Sequence, residues 1–235
     1  MEEKELKTSP KQRAFIIAIA VIMLGSMIAG YVGIVMSGSK SSSETGIDEA
    51  TLERYSKEYD EKLAVFEVMS SDDFNVFKNY LGEIKSYDEE YANSNGIYHR
   101  DLLEGNGKVL TEGDTDYLAY YVGYCADGSI FDSSLDSKTD ATAFTKAIDA
   151  SLGMIDGWNE AVVGMKLGGV RKITVPGEKA YGEKMEICGG YNKPLKFLVM
   201  AISKDGEIGE AAKELDTAYT KLQYAYYGID YDAQM

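Results

Sequence analysis

Side chains able to do covalent chemistry are scarce in this sequence. His99 is the only histidine, and Cys125 and Cys188 are the only cysteines. Neither a His-based triad nor a His-based metal site therefore has the partners it needs. No metal and no cofactor are expected, and His99 reads as a surface residue. Two cysteines do not make a disulfide scaffold. A bond between them is chemically permitted outside the cytoplasm, but the sequence leaves their pairing open. Asp132 is the polar group that stands out. It follows Phe131 and lies near the apolar run Tyr117 to Tyr124. A carboxylate embedded there is costly unless bonded, and a hydroxyl such as that of Tyr121 is a partner of the right type.

The elements that must hold these residues follow from periodicity. Tyr117 to Tyr124 is apolar or aromatic at nearly every position, as a strand buried on both faces would be, and Asp127-Gly128 then supplies a hairpin signal before Ile130 and Phe131. Arg171, Ile173 and Val175 alternate with Lys172 and Thr174, and Leu195 to Ile202 reads as another apolar strand. Ile155, Trp158, Val162 and Met165 form one short helical stripe closed by Gly168-Gly169. Glu104-Gly105-Asn106-Gly107 lacks the spacing of a phosphate-binding loop and reads as a turn. Several strands with one short helix predict an α+β domain over residues 95–204.

Ahead of that domain, Leu52, Tyr55, Tyr59, Leu63 and Phe66, then Phe74, Phe77, Leu81 and Ile84, recur at helical spacing. Two amphipathic helices are predicted within a helical extension, 47–94, with Asp48 and Ser71 as N-caps. Their apolar stripes need cover from each other, from the core or from a second copy. Behind the domain, a C-terminal helical tail, 205–235, begins with Ala211, Ala212, Leu215, Ala218, Tyr219 and Leu222 and ends in Tyr224, Tyr226, Tyr227 and Tyr231.

Residues 14–36 read AFIIAIAVIMLGSMIAGYVGIVM, without a charge. A helix of that length reaches about 34 Å, enough for a hydrocarbon core of about 30 Å. One transmembrane anchor is expected there, uncleaved because the run is long for a secretory signal and lacks a clear exit site. Lys4, Lys7, Lys11 and Arg13 precede it, whereas Lys40 is the only basic residue in the Ser- and Gly-rich stretch that follows. This asymmetry predicts a cytoplasmic tail, 1–13, a flexible linker, 37–46, and an extracytoplasmic domain. Gly25, Ala29, Gly33 and Ser37 form a small-residue stripe, so pairing of two such helices into a homodimer is a candidate arrangement. The net charge of -15 disfavours nucleic acid as the main partner.

Three segments in order, YYVGYCADGSIFDSS, then GMIDGWNEAVVGMKLGGVRKITVPGEKAYGE, then NKPLKFLVMAI, resemble the FKBP-type peptidyl-prolyl isomerases. The resemblance covers nearly half the chain. It implies an antiparallel sheet wrapped around the short helix, preceded here by the transmembrane and amphipathic helices and followed by the C-terminal helix. Carried over by position, it implies catalytic roles for Tyr121, Phe131, Asp132, Trp158, Tyr181 and Phe197, with Trp158 as the pocket floor. It further implies substrate contacts for Met154 and Ile155, and for Phe144, although one extra residue separates Phe144 from Met154 compared with the usual spacing. After Tyr181 the usual Gly-Ile-Ile-Pro-Pro-like flap is replaced by GEKMEICGGYNKP, where Ile187 is expected to supply an apolar contact. The implied function is isomerisation of Xaa-Pro bonds in unfolded or exported polypeptides at the outer face of a membrane, with macrolide binding as a further expectation. The alternatives are a tethered holdase of the same fold with little catalysis, and a purely structural membrane-anchored domain.

Overall fold

The computed structural model describes residues 47–84 and 96–234. The expectations for the tail 1–13, the anchor 14–36 and the linker 37–46 lie outside the described residues. Among the described residues no helix is long and apolar enough to cross a membrane. Six strands form one sheet: β1 (Tyr98–Leu103), β2 (Leu118–Tyr124), β3 (Ile130–Ser133), β4 (Ile148–Asp149), β5 (Val170–Val175) and β6 (Leu195–Ile202). The order is β1-β5-β6-β2-β3, with β4 paired to β2, and each pairing is antiparallel. The central strands β2 and β6 are buried at every position, as their nearly continuous apolar runs predict.

Both faces of this sheet are covered, and period-two alternation divides β2 and β6 between them. Tyr117, Ala119 and Tyr121, with Phe197, Val199 and Ala201, pack toward the short helix α3 (Asp156–Ala161). Leu118, Tyr120 and Val122, with Leu198, Met200 and Ile202, pack on the opposite side. That second face is covered by α1 (Glu49–Met69), α2 (Ser71–Phe77), the 3₁₀ turn after it (Lys78–Ile84) and the start of α4 (Glu207–Tyr226). The stripes ending in Phe66, Phe74, Phe77 and Ile84 thus find their cover in the core of their own chain. Asp48 caps α1 by accepting from the Thr51 N–H at 2.8 Å. The second helix begins at Ser71, so Ser70 holds the N-cap position in place of the expected Ser71, and no side chain closes it.

Helices α1 and α4 run antiparallel, as their contacts show. Along α1, Lys62 pairs with Glu214, Glu58 with Lys221, the Tyr55 hydroxyl with Asp230 and Arg54 with Asp232. The ion pairs are mostly exposed and individually weak. The apolar contact of Tyr55 with Leu222 and Ala225 supplies the packing. Tyr231 packs against that cluster and meets Tyr224 edge to face at 5.4 Å, while Tyr224, Tyr226 and Tyr227 remain exposed. Arg171 of β5 is buried and ties three elements together. It donates to both carboxylate oxygens of Asp101 in β1, at 2.6 and 2.9 Å, and to the carbonyls of Ala161, the last residue of α3, and Val163 just past it, at 2.8 and 2.9 Å. A planar guanidinium suits this fork, and it fixes the end of the helix that carries Trp158.

Candidate active site

The site begins with how closely α3 approaches the sheet. A Cβ on Gly157 would come within 2.2 Å of Val175 Cγ1, so the helix lies on β5 only because position 157 has no side chain. Its neighbour Trp158 is thereby set against the sheet, 3 % exposed, and its indole N–H donates to the Tyr117 hydroxyl at 3.0 Å. The rings of Tyr121 and Phe197 meet the indole edge on, with centroids at 6.0 and 5.5 Å. Phe131 closes on Phe197 at 5.7 Å and 83°. Its ring occupies the space over Gly123, where an added Cβ would come within 2.6 Å of it. Edge-to-face contacts of this kind fix ring orientation as well as burying area. Four aromatic residues from β2, β3, α3 and β6 therefore form a cup on one face of the sheet.

One edge of the cup is polar. Tyr121 donates its hydroxyl proton to Asp132 Oδ2, the Ser133 N–H donates to Oδ1 at 2.8 Å, and Lys146 Nζ donates to the same oxygen at 2.9 Å. With three donors the largely buried carboxylate meets the condition for burying such a group. Burial, and after it the charge of Asp132, pushes the Tyr121 hydroxyl well above its ordinary value. Burial likewise pushes Tyr181 up to about 12, with the Asp132 charge adding to it. Both phenols are therefore protonated donors across the physiological range.

Met154, Ile155, Tyr181 and Ile187 pack in the same cluster as Trp158, Tyr121, Phe131 and Phe197. Phe144 does not, which corrects its expected place in the pocket. It is fully buried on the other face of the sheet, stacked on Tyr120 at 3.9 Å and edge on to Phe74 and Phe77 at 5.4 and 5.3 Å. The extra residue before Met154 accounts for this, because a one-residue shift in extended chain turns a side chain to the opposite face. Lys146, two residues on, is the side chain that reaches the cup, and periodicity alone did not mark it. Its only sequence signal was a lone lysine between Thr145 and Ala147. The segment after Tyr181 folds back as a lid beside the cup. There Cys188 is disulfide-bonded to Cys125 at the end of β2, with Cα atoms 5.4 Å apart, which closes the question the sequence left open. Ile187 pairs with Gly190 across the turn and rests on the apolar cluster.

Residues 108–201 match the family model of the FKBP-type peptidyl-prolyl cis-trans isomerases. A protein named FK506-binding protein from Neisseria meningitidis serogroup B is 41 % identical over 46 % of this chain and 92 % of its own length. The chain belongs to the FKBP-type peptidyl-prolyl cis-trans isomerase family. A further relative, the peptidyl-prolyl cis-trans isomerase Mip of Coxiella burnetii, is 35 % identical over 47 % of this chain and 45 % of its own. The matched region of this FKBP-type isomerase begins after β1, so the helices α1, α2 and α4 that cover the second face of its sheet lie outside the residues matched to the family model. Its cup, polar edge and disulfide-bound lid lie within them.

Proposed function

We propose that this FKBP-type isomerase acts on unfolded, exported polypeptides at the outer face of a membrane, binding the prolyl ring in the cup above Trp158. The observation that carries the reading is the pairing of an aromatic cup with a single carboxylate, Asp132, held at its edge by Tyr121. Amide resonance raises a barrier of about 18–20 kcal/mol to rotation about the peptide bond. Resonance separates charge between oxygen and nitrogen, and water favours that separation. A dry aromatic cup withdraws the solvation, and the twisted transition state, less dipolar at the amide, loses less by it. Nothing covalent has to break. Tyr181, neutral below about pH 12, donates a hydrogen bond to a substrate carbonyl, while Asp132 polarises the opposite edge. A macrolide of the rapamycin type would occupy the same cup.

The assay that tests this uses the full-length chain in mild detergent with a proline peptide. The chain should accelerate cis-trans exchange. Asp132→Ala should lower kcat/KM by about 10-fold or more and Tyr181→Phe by about 5-fold, as expected for losing one hydrogen bond with and without a charged partner. Binding of unfolded protein without any acceleration would establish the holdase instead.

The outer location is supported by the basic residues before position 14 and by the Cys125–Cys188 bond, which persists in an oxidising compartment. In intact cells, protease added outside should cut between Gly38 and Gly46 and release the folded domain, leaving the segment before Ala14 protected. A mature chain beginning near Gly30 to Ser37 would show signal cleavage and remove the anchor.

A further inference from the structure

The geometry points to Lys146 as a specificity-determining residue that selects a carboxylate on the residue preceding the substrate proline. This rests on the placement of the prolyl ring over Trp158. Three observations lead to it. Phe144, the side chain expected to wall this part of the pocket, is turned into the opposite core, so an aromatic is replaced at the rim by an ammonium group. That ammonium is anchored, since it holds Asp132 Oδ1 at 2.9 Å and lies 5.5 Å from the centroid of the Tyr121 ring. It is also reachable, because the Lys146 side chain is 36 % exposed while that of Asp132 is 10 % exposed.

An ammonium carries three N–H donors and no acceptor. The bond to Asp132 uses one of them, and an arriving acceptor can take another without breaking the pair. Tyr121 links the two ends of the site: its ring lies 6.0 Å from the Trp158 indole on one side and 5.5 Å from the Lys146 nitrogen on the other. A residue of extended chain advances by about 3.3–3.6 Å. The residue before the bound proline therefore covers part of that separation by its backbone, and its side chain is what extends toward the ammonium. Charge gives the sign. With Lys146 present the edge is neutral overall, because its charge offsets that of Asp132. Without it Asp132 stands alone at the rim, repels a substrate carboxylate and attracts a lysine.

The test compares three peptides that differ only in the residue before proline, Glu, Leu or Lys, with the full-length chain and with K146M and K146R. The quantity read is the ratio of kcat/KM for the Glu peptide to that for the Lys peptide, which cancels any general loss of activity; comparing that ratio between the variants and the unsubstituted protein then removes the steering by the acidic protein as a whole, which they share. The ratio should fall at least about fivefold in K146M, the scale of one charge contact near a wet surface, and K146R should hold it within about twofold of the original. Raising salt toward 1 M should shrink the difference in this ratio between the unsubstituted protein and K146M, while K146R, which keeps the charge, follows the unsubstituted protein at every salt concentration. A ratio unchanged in a folded K146M, or a difference between the two proteins that salt does not reduce, overturns the assignment and leaves Lys146 as a brace for Asp132 alone. The Leu peptide separates this from the reading on which it rests. If the unsubstituted protein fails to accelerate it, the site itself is misplaced. If it is accelerated while the ratio stays fixed, only the role of Lys146 falls.

Discussion

Phe144→Ala should destabilise this protein by about 3–5 kcal/mol, the usual cost of emptying a buried aromatic site, and leave the affinity of the folded protein for a proline peptide unchanged. In a protein of this size such a loss lowers Tm by on the order of 10 °C. The ring is fully buried, stacked flat on Tyr120 and gripped edge on by Phe74 and Phe77, so little can collapse into the space it leaves. Thermal unfolding gives the first half of the expectation and peptide titration of the folded variant the second. A variant with normal Tm and weakened peptide binding would return Phe144 to the pocket. The same packing predicts that the helices before residue 85 are needed for the fold, since Phe66, Phe74, Phe77 and Ile84 cover a sheet face that is otherwise apolar.

Replacing Cys125 and Cys188 together by serine should cost about 4 kcal/mol. The bond closes a loop of sequence separation 63, and constraining a loop of that length in the unfolded chain accounts for a loss of this order in the chain-entropy description. A second effect is local. Cys188 ties the lid to the end of β2, the strand that carries Tyr121. Once untied, the lid is held by the Ile187 contact and the Asn192 N–H bond to the Gly182 carbonyl. Trypsin should then cut the folded variant after Lys184 well before the unsubstituted protein is touched, and peptide KM should rise severalfold. Equal protease resistance with and without the bond would show that the lid is held by packing alone.

The parts of this architecture visible in the sequence are those where one physical preference dominates. β2 and β6 are apolar at nearly every position because both their faces are covered, whereas β5 alternates in sequence although Lys172 is its one position short of full burial. β1 escaped notice as a strand: YHRDLL is largely exposed at the sheet edge and has no hydrophobic pattern to read. Two-residue β4 is too short to carry any pattern. The helix holding Trp158 stops at Ala161, earlier than the Gly168-Gly169 end its stripe implied, because turns through Val162 to Met165 continue the same apolar face. Asp132 and its partner Tyr121 were legible from the cost of an unpaired buried carboxylate. Lys146 was not, since a lysine in a loop ordinarily belongs to solvent and only the folded chain shows what it faces. Phe144 was misplaced for a related reason: composition gave its burial, but a one-residue insertion decided on which side of the sheet.

The antiparallel pair of α1 and α4 has a mechanical consequence. Phe66, near the far end of α1, is lodged against the sheet, whereas Ile47 sits with Leu222, Ala225 and Tyr231 at the other end of the pair. Ile47 lies just before the helix, and the helical rise from Glu49 to Phe66 is about 26 Å. Any pull on the chain ahead of Ile47 is therefore delivered to the remote tip of a two-helix strut. It is shared there with α4 through side chains that never touch the cup. The strut joins the sheet on the face turned away from Trp158, so load on the chain and strain on the substrate run through different sides of one molecule. An enzyme built this way can be held fast at one end and remain unstressed where it works.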